Sequence, residues 1–327
     1  MNVERLVQSA MQQYGFSDYQ ATFIRHNENI TYSIVDCQTQ RHYLLRIHQP
    51  ISLNLWGIQH TFEGLLSEFA FLVALQEATD LGLQHPVANT HGSFVTTIYD
   101  SDDGKAILCT LLTWVEGETL SKLEIEMEKP VRQMAAVAAE MHCFSQQWQH
   151  PFPLTRPVYD TRKYHHLVDC IGYGVEKKVF APEQYDIIRE TMAQITTVLA
   201  PLMYLPEYWG IIHADLGPGN VVVNGDRVTP IDFSFSGYGY YLFDLGGAAA
   251  ALKPQLRQTY LDAYQRANPI RDADWRVVES CFLLSVFGAY GFHISNPSRH
   301  EWIGRRLPIV AREYCQRFMR GEPFMHL

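Results

Sequence analysis

An α+β fold, with strands gathered in the first third of the chain and helices in the rest, is predicted for these 327 residues. Three observations predict it. Short β-branched and aromatic segments separated by polar turns run to about residue 113. Helical periodicities dominate after residue 120. Within the helical part stands one strand–turn–strand unit, which opens on His213-Ala214-Asp215-Leu216-Gly217-Pro218-Gly219-Asn220 and closes on Asp232-Phe233. Runs of strands followed by runs of helices are the pattern of α+β proteins.

Residues 3–14 form a short amphipathic helix, with Val3, Leu6, Val7 and Ala10 on one face. Strands follow over 21–26, 30–36 and 43–48, the start of a small antiparallel sheet. A helix is expected over 61–78, where Leu65, Phe69, Leu72, Val73 and Gln76 share a face. Glu68 points toward that same apolar side, whereas Glu63 and Glu77 are solvated charges. A buried carboxylate needs a cationic partner, and Arg46, in Leu44-Leu45-Arg46-Ile47-His48, is the candidate. Strands over 94–99 and 106–112 flank the polar turn Asp100-Ser101-Asp102-Asp103-Gly104-Lys105, and Thr113-Trp114-Val115-Glu116-Gly117-Glu118 follows. Residues 131–144 read as a helix in which His142 is a hydrogen-bonded core histidine. His165 and His166, adjacent in sequence, diverge around a helix and suggest no metal site. Further helices are expected over 181–200, 253–266, 274–291 and 299–319.

The strand–turn–strand unit carries the chemistry. Val221 to Val223 is a β-branched apolar run, Asn224-Gly225-Asp226-Arg227 has turn chemistry, and 228–233 returns as a strand. Pro230 lacks a donor, so that strand lies at an edge or pairs irregularly. Such a hairpin sets Asn220 and Asp232 opposite each other at its open end, with Asp215 entering beside them. Phosphoryl transfer needs a carboxylate at the attacking hydroxyl and oxygen ligands for a metal at the phosphates. Asp215 suits the first role, Asn220 and Asp232 the second, and Mg²⁺ prefers such hard oxygen donors.

Bulk properties narrow the class. With 26 basic and 35 acidic residues the net charge is −9, which disfavours nucleic-acid binding. Hydrophobic residues make up 47% and charged residues 19%, the composition of a soluble protein. The six cysteines are scattered without a Cys-x-x-Cys pair, which argues for reduced thiols over a zinc or redox motif. The first residues lack the apolar core of a signal peptide, and no apolar run approaches a membrane span. A cytoplasmic protein without membrane contact is expected.

The chain resembles the aminoglycoside phosphotransferase and choline kinase-like family, a branch of the protein-kinase-like fold. That family's core motif runs His-Gly-Asp-Leu-His-Pro-Gly-Asn, then a strand, then Ile-Asp-Phe or Ile-Asp-Trp. His213, Asp215, Leu216, Pro218, Gly219, Asn220, Ile231, Asp232 and Phe233 match it, while Ala214 and Gly217 stand where Gly and His are usual. Neither departure removes a metal ligand. Asp244-Leu245, before an Ala-rich stretch, is also similar to the family. Ala214 and Ser234 replace the Arg and Gly of the protein-kinase motifs, and no Ala-Pro-Glu follows, so no phosphorylation-controlled activation segment is expected.

The resemblance implies a small antiparallel lobe with one main helix over 1–113, an interlobe linker over 114–118 and a mainly helical lobe over 119–327. The helical lobe would hold the catalytic loop 213–220 and the metal-binding segment 231–233. It implies ATP and Mg²⁺, with Asp215 catalytic, Asn220 and Asp232 on the metal, and His213 and Asp244 bracing the loop. Arg46 stands where the phosphate-anchoring Lys is found, paired with Glu68. The Leu-Arg-Ile-His strand is similar to those of homoserine kinase and stress-response kinase branches. The glycine-free turn His26-Asn27-Glu28-Asn29 takes the place of a phosphate-covering loop, with Asn29 or Thr31 as contacts. It is equally readable as an ordinary hairpin turn. Trp114 and Val115 would line the adenine pocket. The aromatic run of Phe233, Phe235, Tyr238, Tyr240, Tyr241 and Phe243 would line an acceptor pocket or pack an ordered loop. The implied activity is transfer of the γ-phosphate of ATP to a small-molecule hydroxyl. The alternatives are a stress-response-type Ser/Thr kinase with a protein substrate, a homoserine or choline-type kinase, and a non-catalytic nucleotide-binding regulator.

Overall fold

The protein is described by a computed structural model over residues 2–50, 57–100, 104–123, 127–150 and 152–326. Ser101, Asp102 and Asp103, in the turn expected after residue 100, lie outside these residues. The chain divides into two compact units. The first comprises Met1–Glu116 with two short segments, His150–Pro157 and Ile231–Ser234. The second comprises Gly117–Gln149, Val158–Pro230 and Phe235–Leu327. A lobe boundary at residues 114–118 leaves both short segments in the helical part. The structure gives them to the first unit, because Arg156 and Asp232 bond to residues there.

In the first unit, helix α1 (Val3–Gln13) precedes strands β1 (Tyr19–His26), β2 (Ile30–Asp36) and β3 (His42–Ile47). Helix α2 (Phe62–Ala78) is capped by Thr61, whose hydroxyl accepts from Gly64 N. Strands β4 (Pro86–Val87), β5 (Val95–Tyr99) and β6 (Ala106–Thr113) complete an antiparallel sheet. Its order is β1-β2-β3-β6-β4, with β5 also on β6.

Strand alternation divides this sheet's two faces. Ile30, Ile34, Leu45, Ile47, Cys109 and Leu111 form one buried cluster with Leu6, Val7, Ala10 and Met11 of α1. Thr31, Arg46 and Thr110 are aligned partners across β2, β3 and β6, so they share the opposite face.

The second unit begins with β7 (Glu118–Thr119), α3 (Glu128–Gln147), α4 (Thr161–Ile171), α5 (Tyr173–Glu176) and α6 (Pro182–Leu199). Strands β8 (Trp209–Ile212), β9 (Val221–Asn224), β10 (Arg227–Pro230) and β11 (Gly237–Tyr240) follow. The unit ends with α7 (Tyr241–Ala251), α8 (Pro254–Ala267), α9 (Trp275–His293), α10 (His300–Ile309) and α11 (Gln316–Arg320). The sequence pattern gives one helix over 299–319. The structure interrupts it with a π-helical stretch, Val310–Cys315, just after Pro308. A proline inside a helix removes a backbone donor, and wider turns absorb such defects.

Strands β10, β9 and β7 form one small sheet with β10 at an edge, which accommodates Pro230. Gly117 has φ +127°, and a Cβ there would lie 2.3 Å from Val223 O, so only glycine fits where the chain enters β7.

Candidate active site

In the second unit, the loop after β8 is fixed by a buried carboxylate. Asp244 stands in the first turn of α7, yet it accepts donors from outside its helix. Its Oδ2 accepts the His213 backbone N–H at 2.8 Å, and its Oδ1 accepts that of Ala214 at 2.7 Å. His142, wholly buried on α3, completes the set, with Nε2 3.3 Å from Asp244 Oδ2 and Nδ1 2.8 Å from the Tyr264 hydroxyl. Asp244 is 1% exposed, so its charge is stabilised by these hydrogen bonds and not by water.

Asp215 follows directly. Its N–H donates to His213 Nδ1 at 3.3 Å. The Asn220 side-chain amide donates to Asp215 Oδ2 at 2.7 Å and to Asp215 O at 2.9 Å. The turn Pro218–Asn220 sets this distance, with Asn220 N bonded to Gly217 O at 2.9 Å. With its amide nitrogen committed to Asp215, Asn220 has Oδ1 left as the donor atom for a cation.

Ala214 adopts φ 66°, in the left-handed region that costs an L-residue about 1–2 kcal/mol. Ala214→Gly is therefore expected to stabilise the protein by about 1 kcal/mol, reduced by glycine's larger unfolded-state entropy. Denaturant titration checks this, and a lower midpoint would contradict the strain.

Strand β10 ends at Pro230, paired with Val221, whereas the sequence pattern extends it to residue 233. The strand stops because Asp232 takes φ 64° and Phe233–Phe235 form a 3₁₀ turn. Strained backbone of this kind gathers at functional sites. In the first unit, Asp232 Oδ1 lies 2.6 Å from the Ser234 hydroxyl, which is also 3.0 Å from Glu28 Oε1. Asp232 Oδ2 accepts from Arg25 at 2.7 Å. The Asp232 carboxylate is a hard oxygen donor of the kind that fits Mg²⁺, which takes few protein ligands and completes its shell with phosphate oxygens and water. Among the described residues there is no cluster of three or more His, Cys, Asp or Glu able to cage a metal.

The same unit holds a buried ion-pair chain. Arg46 donates to Glu68 Oε1 at 2.7 Å, and the Arg156 guanidinium lies 3.7 Å from Glu68 Oε2. Burial depresses the Arg46 pKa, but the carboxylates of Glu68, Asp232 and Glu28 outweigh it, so the guanidinium stays charged above its ordinary range. Among the described residues, no acceptor meets the buried Arg46 Nε and no donor meets the buried Asn29 Oδ1. Both Asn29 and Thr31 are buried. Arg156 also donates to the carbonyls of Gly64 (2.9 Å), Phe233 (3.1 Å) and Ser234 (2.6 Å). It thereby ties the start of α2 to the segment that carries Asp232.

Sequence reasoning missed Arg25 and Arg156. Arg156 sits in a proline-flanked stretch without motif or period, so only the fold reveals it. The Trp114 backbone N–H is donated to His42 O at 3.1 Å, one step beyond β6. That amide is not free for a nucleobase. Most of the aromatic run is packing: Tyr240 meets Trp209 edge-on at 4.8 Å and bonds Leu199 O, and Phe233 contacts Phe71 at 6.3 Å.

His48 is buried against Thr110 Oγ1 at 3.1 Å and beside His60. Burial, then Arg46 and His60, hold its pKa well below the ordinary 6.5. The folded state therefore refuses a proton that the unfolded chain binds below about pH 6.5. Stability is expected to be lost as pH falls from 6.5, by about 1.4 kcal/mol per pH unit from this group. His48→Gln should flatten that slope in urea melts at pH 7 and pH 5, and an unchanged slope would contradict it.

Residues 20–280 match the model of the APH phosphotransferase enzyme family. Amicoumacin kinase of Bacillus subtilis (strain 168) is 19% identical over 242 residues, 74% of this chain and 66% of that protein, so the match spans just under two thirds of that relative. The microcompartment-associated aminopropanol kinase superposes with a TM-score of 0.81 at 19% identity, covering 98% of this chain and 99% of that one. An amicoumacin kinase in complex with AMP-PNP, Ca²⁺ and Ami gives a TM-score of 0.74 at 17% identity, covering 99% and 95%. Choline kinase from Cryptosporidium parvum gives 0.61 at 11% identity, covering 99% of each chain.

Proposed function

The chain belongs to the phosphotransferase enzyme family, and from that premise we propose that it moves the γ-phosphoryl group of ATP to a hydroxyl of a small molecule. The observation that carries this reading is the loop 213–220. Asp215 is held by Asn220 at 2.7 Å within a backbone that the buried Asp244 anchors at two consecutive amides. A protein that only binds nucleotide has no need of a carboxylate positioned so closely.

Asp215 orients the acceptor hydroxyl and takes its proton as the oxygen attacks phosphorus. Asn220 keeps Asp215 in one rotamer through its amide nitrogen and offers its oxygen to the metal. Asp232 supplies the second protein oxygen. Asn220 and Asp232 would hold Mg²⁺, which would supply charge neutralisation at the phosphates. Arg46, charged and fixed by Glu68, steadies the phosphates, and Asn29 and Thr31 lie along the same strand-turn as polar contacts. Val115 is proposed to face the adenine. Residues 1–113 act as the nucleotide lobe, 114–118 as the linker and 119–327 as the catalytic lobe.

The acceptor is a small molecule: the relatives compared above are named for aminopropanol, amicoumacin and choline, and none for a protein substrate. Amino alcohols are the first class to test. No helix of the described residues is long and apolar enough to cross a membrane. Calorimetry of Mg-ATP binding to wild type and Asp232→Asn tests the nucleotide half of the reading. Binding is expected to weaken more than tenfold in the variant, and equal binding would remove Asp232 from the metal site.

A further inference from the structure

Arg25 owes its position to an irregularity in β1. Phe23 is paired with Tyr32 and Arg25 with Thr31, so Ile24 is an extra residue in this strand. Regular pairing would set Thr31 opposite Ile24 and leave Arg25 opposite Ile30, on the face covered by α1. The bulge turns Arg25 to the other face, in one row with Thr31 and Arg46. Bulges re-aim side chains in this way beside functional sites. From there its guanidinium reaches Asp232 Oδ2 at 2.7 Å, with Arg25 53% exposed and Asp232 16%.

Three features of the pair point to exchange and not to a static brace. The other oxygen of Asp232 is already engaged by Ser234, so the carboxylate keeps its orientation without Arg25. The Arg25 side chain is about half exposed, unlike the buried Arg46 and Arg156, and among the described residues Asp232 is its ion-pair partner. A divalent cation on Asp232 would compete with the guanidinium for the carboxylate, and a displaced guanidinium in the same row as Arg46 is suited by its planar donors to phosphate oxygens.

We infer that Arg25 is an exchangeable counter-cation of Asp232: it neutralises the carboxylate in the free enzyme, yields it to the incoming divalent cation, and then contacts the terminal phosphate. This rests on the assignment of Asp232 to the metal. It makes Arg25 a further nucleotide-contacting residue whose effect is also visible without turnover.

The test is Mn²⁺ binding to the nucleotide-free protein by electron paramagnetic resonance, in wild type, Arg25→Gln, Arg25→Lys and Asp232→Asn. Removing the competing charge should tighten Mn²⁺ binding by about threefold in Arg25→Gln, the scale of a partly exposed ion pair. Arg25→Lys should stay near wild type, and Asp232→Asn should lose the site. In parallel, Arg25→Gln should bind ATP without metal more weakly than wild type. Equal Mn²⁺ affinity in wild type and Arg25→Gln, with the site lost in Asp232→Asn, overturns the role of Arg25 alone. Mn²⁺ binding unaffected by Asp232→Asn overturns the metal assignment and this inference together.

Discussion

Asp215→Ala is expected to lower turnover by about 10³-fold, within the range that a positioned general base contributes, and to leave Mg-ATP affinity close to that of wild type. The two effects should separate because, in the proposed mechanism, Asp215 acts on the acceptor hydroxyl and other residues hold the metal. Asn220 keeps one of its two bonds in this variant, the one to Asp215 O at 2.9 Å, so the loop retains its course. Its backbone anchors to Asp244 are also untouched. Asp215→Asn preserves shape but not basicity and should be equally inactive. Steady-state kinetics with parallel nucleotide titration checks both, and an active Asp215→Asn would show that the residue only orients the hydroxyl.

The second large effect falls on stability. Arg46→Ala leaves the 1%-exposed Glu68 with only Arg156, at 3.7 Å and without a hydrogen bond. Breaking a buried pair in this way costs about 3–5 kcal/mol. The paired replacement Arg46→Met with Glu68→Leu should recover only part of that loss, since it removes the stranded carboxylate but leaves the buried Arg156 with carbonyl acceptors in place of a counter-charge. Mg-ATP binding should not recover if Arg46 holds the phosphates as proposed. Urea unfolding and calorimetry on the three proteins separate the two consequences. Restored nucleotide binding in the double variant would exclude Arg46 from the phosphate site.

Much of this arrangement is legible in the residues. The spacing of Glu68 among Leu65, Phe69 and Leu72 places its carboxylate on an apolar helix face, and that placement calls for a cation such as Arg46. The order Asp215, Asn220, Asp232 is readable because a two-residue turn between β-branched runs has few geometries. What the residues do not disclose depends on long-range packing. Nothing local predicts that Phe23 and Arg25 will straddle a bulge, and strict alternation would send Arg25 to the wrong face. Arg156 is invisible for the same reason: its partners, Gly64, Glu68, Phe233 and Ser234, come from two distant segments. The resemblance implies that Asp244 braces the loop, and its carboxylate accepts the backbone N–H groups of His213 and Ala214, outside its own helix. The strand end at Pro230 follows from the φ of Asp232, which no propensity scale supplies.

The most direct test of the proposed reaction is mass spectrometry of a pool of amino alcohols, sugars and aminoglycosides, with a Ser/Thr protein substrate added, incubated with Mg-ATP and either wild type or Asp215→Ala. The account predicts a phosphorylated small molecule with wild type alone, the protein substrate unmodified, and nucleotide bound by both. The same product formed equally by Asp215→Ala, or no nucleotide binding by the wild type, would contradict it.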